Sequence, residues 1–139
     1  VGSINGYSAS VRTLHGPGFA LLGNAGEFLD PVFSSGVTIA LHSACLAARL
    51  LARQLSGEAV DWEQDFTGVL MPGVETFRWF VESWYQGGLQ DIIFHADPQP
   101  ELVRMINSVL AGYAWDDSNP YVAQPRRRLA ALVETLAAP

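Results

Sequence analysis

Residues 18–53, GFALLGNAGEFLDPVFSSGVTIALHSACLAARLLAR, constrain the fold more than any other stretch of the chain. An apolar, strand-like run (Phe19, Ala20, Leu21, Leu22) stops at Gly23-Asn24. A loop follows with Asp30-Pro31 and Ser34-Ser35-Gly36, and a long apolar helical pattern begins at Val37. Strand, glycine loop and helix start is an arrangement that brings backbone close to a ligand, because glycine leaves no side chain in the way. Ser34 or Ser35 is placed to cap a helix starting near Gly36. The unpaired N–H groups of that first turn, with the positive end of the helix dipole, favour negative charge. Junctions of this kind also occur where nothing binds, so spacing alone does not choose.

The 139 residues suit one domain, treated as a single unit with a strand pair and loop over residues 1–36 and a helical region over residues 37–139. Hydrophobic residues make up 49% and charged residues 16%, which is apolar for so small a unit and points to surface buried against something else. The chain starts on Val1 with no signal-peptide pattern, and it reads as a piece of a longer protein. Its longest apolar run, residues 37–52, contains His42 and Arg49 and falls short of the roughly 20 residues that a bilayer needs, so no membrane span is expected. The net charge is −6 and lysine is absent, so nucleic acid is set aside; Arg126, Arg127 and Arg128 read as a solvated helix face. Cys45 reads as a small core residue in a chain compatible with the cytoplasm.

In chain order, residues 8–14 and the run from Phe19 form a short β-hairpin around His15-Gly16-Pro17-Gly18, with His15 in the turn. From Val37 to about Leu55 the residues Ala40, Leu41, Ala44, Cys45, Ala48, Leu51, Ala52 and Leu55 share one helical stripe, and the helix is expected to be buried on most sides with a satisfied His42. Asp61 and Gln64 read as an N-cap and its reciprocal partner. Pro72-Gly73 is expected to break or kink that helix, after which Val74, Phe77, Phe80, Val81 and Trp84 resume as an aromatic core stripe. Residues 89–94 are compatible with helix or strand. Asp97-Pro98 reads as a cap with proline at the first helical position, residues 113–120 as a loop anchored by Tyr113 and Trp115, and residues 125–137 as a last helix whose leading arginines call for carboxylate partners. The fold class is mainly α with a short β-hairpin near the N-terminus. HExxH, CxxC, GxSxG, Walker and GxGxxG patterns are absent, and the three histidines lack metal-like spacing, so a self-sufficient enzyme is not expected.

Gly23, Ala25, Asp30-Pro31 and Phe33-Ser34-Ser35-Gly36-Val37 with the alanine-rich helix resemble, in register, the second FAD-contact segment of the flavin-dependent monooxygenase superfamily, in the branch that holds the flavin-dependent halogenases. Tyr7-Ser8 and residues 80–85 are loosely similar to the same branch. The resemblance implies an α+β piece of a larger FAD-binding protein, with cofactor contacts at Gly23, Asn24, Asp30, Pro31, Ser35, Gly36 and Val37. It puts Asn24 where the family has an acid on the ribityl chain; asparagine keeps an acceptor and adds donors. It implies that Asp30-Pro31 lie along the flavin and that the Ser35, Gly36 and Val37 amides face the pyrimidine side of the ring, where negative charge gathers on reduction. It also makes Ser35 and Gly36 candidates for holding a halide. The family's dinucleotide fold, lysine and tryptophan motif are not in these residues. The implied partners are therefore a missing N-terminal FAD-binding region or another subunit, a small aromatic or acyl-bound substrate, and possible further copies of the chain. The isolated chain is expected to bind FAD weakly. A free-standing helical interaction module that has lost flavin chemistry is the other reading.

Overall fold

The computed structural model describes residues 8–97 and 99–137, so Tyr7 of the looser resemblance and the expected helix-start Pro98 lie outside the described residues. The protein is 66% helical, with short antiparallel strand pairs near its N-terminus, which matches the expected fold class. It groups into two compact units, Val1–Val74 and Glu75–Pro139.

The first unit opens with strands β1 (Ala9–Ser10), β2 (His15–Gly16), β3 (Phe19–Ala20) and β4 (Glu27–Phe28). Two ladders form where one hairpin was expected. β2 pairs with β3 across Pro17-Gly18, with His15 opposite Ala20, and β1 pairs with β4, with Ala9 opposite Phe28. His15 therefore belongs to a strand, and its Nε2 lies 3.0 Å from Glu63 Oε2. Two-residue strands are marginal alone; here they are held by Leu14, which is 4% exposed, and by the bond from Leu21 N–H to the Leu14 carbonyl at 2.7 Å.

Helix α1 (Ser35–Leu55) is where the structure departs most from expectation. Its buried face is Ser35, Ile39, Ser43, Ala47 and Leu50, whereas Leu41, Leu51 and Leu55 are 64%, 48% and 79% exposed. Cys45 is exposed as well. The stripe expected in the core faces outward, and the shorter row of Ile39, Ala47 and Leu50 lies on the buried face, with α1 packed against the Gly23–Ala25 turn and the Glu63–Thr67 segment. At 21 residues and a mean hydropathy of 1.4 over its most apolar window, α1 is long and apolar enough to cross a membrane by length and composition alone, which corrects the expectation that it falls short. Only 28% of that window is buried.

Asp61 caps the next helical segment as expected, accepting the Gln64 N–H at 3.1 Å. A π-turn over Glu63–Thr67 then runs into α2 (Gly68–Tyr85). Pro72 sits inside α2 without ending it. An interior proline costs about 3 kcal/mol, but Leu70 and Val74 on either side are 2% and 0% exposed. Burying side chains of that size contributes about 1.5–3 kcal/mol each, enough to carry the helix through.

In the second unit α3 (Gly88–Ile93) settles the ambiguous segment as helix and packs on α6 (Pro125–Ala137). The core stripe is as expected, with Phe77, Phe80 and Val81 at 1%, 0% and 6% exposure. Helix α4 (Pro100–Leu110) takes Gln99 as N-cap and Pro100 in its first turn, so Asp97 is not the cap; the Asp97 N–H instead donates to His95 Nδ1. The expected loop holds over residues 113–119, and a short helix α5 (Pro120–Ala123) starts at its last residue. Asn119 caps it, accepting the Tyr121 N–H at 3.0 Å and donating to the Met105 carbonyl at 2.9 Å, and so ties α5 to α4. Trp115 meets Phe77 edge-on at 6.2 Å, while the Tyr113 ring is exposed and the residue is held through its backbone, its N–H donating to the Ser108 carbonyl at 3.1 Å. Arg126 lies 5.1 Å over the Trp79 ring and Arg127 donates to Gln124.

Candidate functional site

The chain leaves β3, passes Leu22 and tightens into a 3-10 turn over Gly23–Ala25. Gly23 has φ +51°, and a Cβ there would lie 2.8 Å from the Ala40 Cβ and 3.1 Å from the Ala40 Cα. Only glycine lets the turn sit directly on the helix. The contact is locked by polar bonds: the Gly23 N–H donates to Ser43 Oγ at 3.0 Å, and that hydroxyl donates to the Ala40 carbonyl at 3.1 Å. Ser43 is fully buried. Nothing in the sequence reading singled it out; a serine inside an otherwise apolar helix was the available signal.

After β4 the chain turns again. Asp30 accepts the Val32 N–H at 2.9 Å and Pro31 occupies the first position of a second 3-10 turn, Pro31–Phe33. Ser34 follows in the left-handed region, φ 53° and ψ 28°, and is the N-cap of α1 without any side-chain capping bond. Ser34 thus stands at the expected cap position, but its left-handed backbone turns the chain into the helix and its side chain makes no capping bond. The first amides of a helix have no acceptor within the helix itself. The first turn of α1 carries no acidic residue, so the dipole's positive end, equivalent to roughly half an elementary charge, is not offset from its own helix. Asn24 reaches across from the other turn, with its Oδ1 3.2 Å from where a Gly36 Cβ would be.

These turns and the start of α1 enclose a groove of about 610 Å³ whose lining includes Gly23, Asn24, Pro31, Ser34, Gly36 and Val37. Five of the seven expected site residues thus share one concave surface. The other two stand behind it: Asp30 holds the 3-10 turn through its carboxylate, and Ser35 is 3% exposed. The lining also takes in Leu22, Phe28, Leu29, Ala40 and Ala44, to which the sequence alone assigns no site role. The sequence reading missed a second, more apolar cavity of about 1010 Å³ between the β2–β3 hairpin, α1 and Trp62. Among the described residues no group of three or more candidate ligands could hold a metal ion.

His42, one turn along α1, is held below the ordinary imidazole range by burial first and by Arg49 second. The unfolded chain takes up a proton near pH 6.5 that folded His42 resists, so the stability present above that pH falls as pH drops through 6.5 toward the folded value. The urea midpoint is expected to decrease as pH falls through 6.5, and the decrease to flatten in His42→Asn. An unchanged slope in that variant would mean that another group carries the pH dependence.

No family model matches the chain. Over 52 residues, 37% of this chain, it is 54% identical to a tryptophan 2-halogenase of Chondromyces crocatus. Over 132 residues, 93% of this chain, it is 29% identical to a 1H-pyrrole-2-carbonyl-[peptidyl-carrier protein] chlorinase of Pseudomonas fluorescens. The crystal structure of a flavoprotein/dehydrogenase from Cytophaga hutchinsonii superposes on 94% of it with a TM-score of 0.91 at 47% identity. The chain spans 10% and 29% of the two halogenating relatives and 32% of the solved flavoprotein.

Proposed function

We propose, on the premise that this chain corresponds to the C-terminal part of a flavin-dependent halogenase or monooxygenase-type protein, that its groove forms one wall of the FAD site of an oxidoreductase. The observation that carries this reading is the convergence of Gly23, Asn24, Pro31, Gly36 and Val37 on one concave surface at the uncapped start of α1. The residues fit such a group. Glycine at position 36 leaves the helix start open, and Asn24 beside it offers an acceptor and two donors for a polyhydroxyl chain.

Bound there, the flavin would supply two-electron redox chemistry. The chain's own residues bind and orient. The amides at Gly36 and Val37 would stabilise negative charge at the ring's pyrimidine edge, a preorganised dipole that needs no rearrangement as charge develops. Pro31 gives an apolar wall, and Gly23 fixes the turn that positions Asn24. Ser35 and Asp30 act from behind by holding the two turns. The substrate class that goes with this reading is an electron-rich aromatic, free or carried as an acyl group. The chain works in a soluble, cytoplasmic protein together with the polypeptide that holds the rest of FAD, without nucleic acid or membrane, and further copies of the protein are compatible with it.

FAD titration of the isolated chain and of the full flavoprotein containing it tests this. The isolated chain should give no stoichiometric yellow complex, and the full protein should give one. Gly36→Val, which pushes a branched side chain toward Asn24 and over the helix start, should weaken FAD binding in the full protein by about 100-fold, close to 2.7 kcal/mol, with the circular dichroism unchanged. Unaltered FAD affinity in Gly36→Val would remove the groove from the flavin site.

A further inference from the structure

Along the outward face of α1, Val37, Leu41, Ala44, Ala48, Leu51 and Leu55 recur at intervals of 4, 3, 4, 3 and 4 residues, and all six are exposed. That is the spacing of a seam made for a second helix, in which side chains of one helix enter the holes between four residues of the other. The seam runs about 27 Å at 1.5 Å per residue. Large residues mark its ends and alanines its middle, and over those alanines lies the second cavity of about 1010 Å³, walled by Phe19 and Trp62.

We propose that this seam is the docking face for an amphipathic helix from the rest of the flavoprotein, whose bulky side chains fill the cavity over Ala44 and Ala48. The proposal rests on the flavin reading for the identity of its partner. Continuity selects that partner: Leu22 and Ala44 line both the cavity and the flavin groove, and Val37 belongs to both seam and groove. A helix laid on the seam also closes the open side of the groove, which a polypeptide carrying the remainder of the FAD site must do. The solved flavoprotein has about two-thirds of its chain beyond the matched part, ample for such an element. A small apolar molecule would cover the cavity and leave Val37, Leu41 and Leu55 bare, since ligand pockets enclose a compact body and not a strip of this length.

Cys45, exposed beside Ala44 and the only cysteine of the chain, reports on the seam. Its alkylation by N-ethylmaleimide is followed in the isolated chain and in the full flavoprotein, each with and without FAD. Relative to the isolated chain, the full protein should react about 100-fold more slowly or slower still, with or without FAD, because the protection comes from polypeptide. Leu41→Glu with Leu51→Glu should restore the reaction in the full protein while leaving the helical circular dichroism of the isolated chain unchanged. Equal reactivity in both proteins overturns the proposal. So does protection of the isolated chain that grows with its concentration, which would assign the seam to a second copy, or protection by phosphatidylcholine vesicles, which would assign it to a membrane. FAD binding with Cys45 still open refutes the seam alone, and a protected Cys45 without FAD binding refutes the flavin reading alone.

Discussion

Replacing Gly23 by alanine is expected to destabilise the protein by about 2–6 kcal/mol, the sum of left-handed backbone strain and overpacking. The backbone is at φ +51°, and the added methyl would meet both the Cβ and the Cα of Ala40 at sub-contact distances. The neighbour cannot swing aside, because the Ala40 carbonyl is tied to Ser43 and Ser43 to the Gly23 amide. Urea unfolding followed at 222 nm measures the loss as a lower midpoint. Ala40→Gly removes the closer of the two obstructing atoms, so the double variant should be less destabilised than the sum of the two single ones, even though glycine inside a helix itself costs about 1 kcal/mol. Simple additivity would show that the close approach of turn to helix is not what requires glycine. Because Gly23 also lines the groove, Gly23→Ala should weaken FAD binding by the full protein in step with its effect on the turn.

Phe77→Ala is expected to cost about 3–5 kcal/mol, the range for emptying a fully buried aromatic site. Phe77 is 1% exposed and holds the edge of Trp115, so its removal leaves a cavity and frees the segment between α4 and α5. Against a typical total stability of about 5–15 kcal/mol, that is a large share of what holds a domain folded. Phe77→Leu keeps most of the volume and should lose less than Phe77→Ala. Leu55→Ala, at a residue 79% exposed in this chain, should shift the midpoint by no more than about 0.5 kcal/mol. Should the leucine and alanine variants at position 77 lose equal stability, the ring's volume is not what supports the unit.

Much of the architecture was legible because it is written in local chemistry. Asp61 caps its helix as its side chain predicts, the stripe through Phe77, Phe80 and Val81 is buried as its spacing predicts, and the last helix covers residues 125–137. Asn119-Pro120 carries an equally good helix-start signal, but the aromatic and acidic residues before it have the composition of a loop and the helix that follows is only four residues long. The groove was legible in outline, since five expected residues meet there; Ser43, which locks the turn, was not, because its partner amide is 20 residues away in the chain.

What the sequence by itself determined is the order of turn, glycine and helix between residues 18 and 55, and the likeness of that stretch to a flavin-contact segment, since backbone preference and capping act between near neighbours. The tertiary structure decided which side of α1 is inside, why Pro72 does not stop α2, and how Ser34 opens the helix. Hydrophobic periodicity says that a helix has an apolar face, but burial is a property of two surfaces. The longer apolar row of α1 lost the core to Ile39, Ala47 and Leu50, which share the buried face of the helix with Ser43, the residue that bonds the glycine turn.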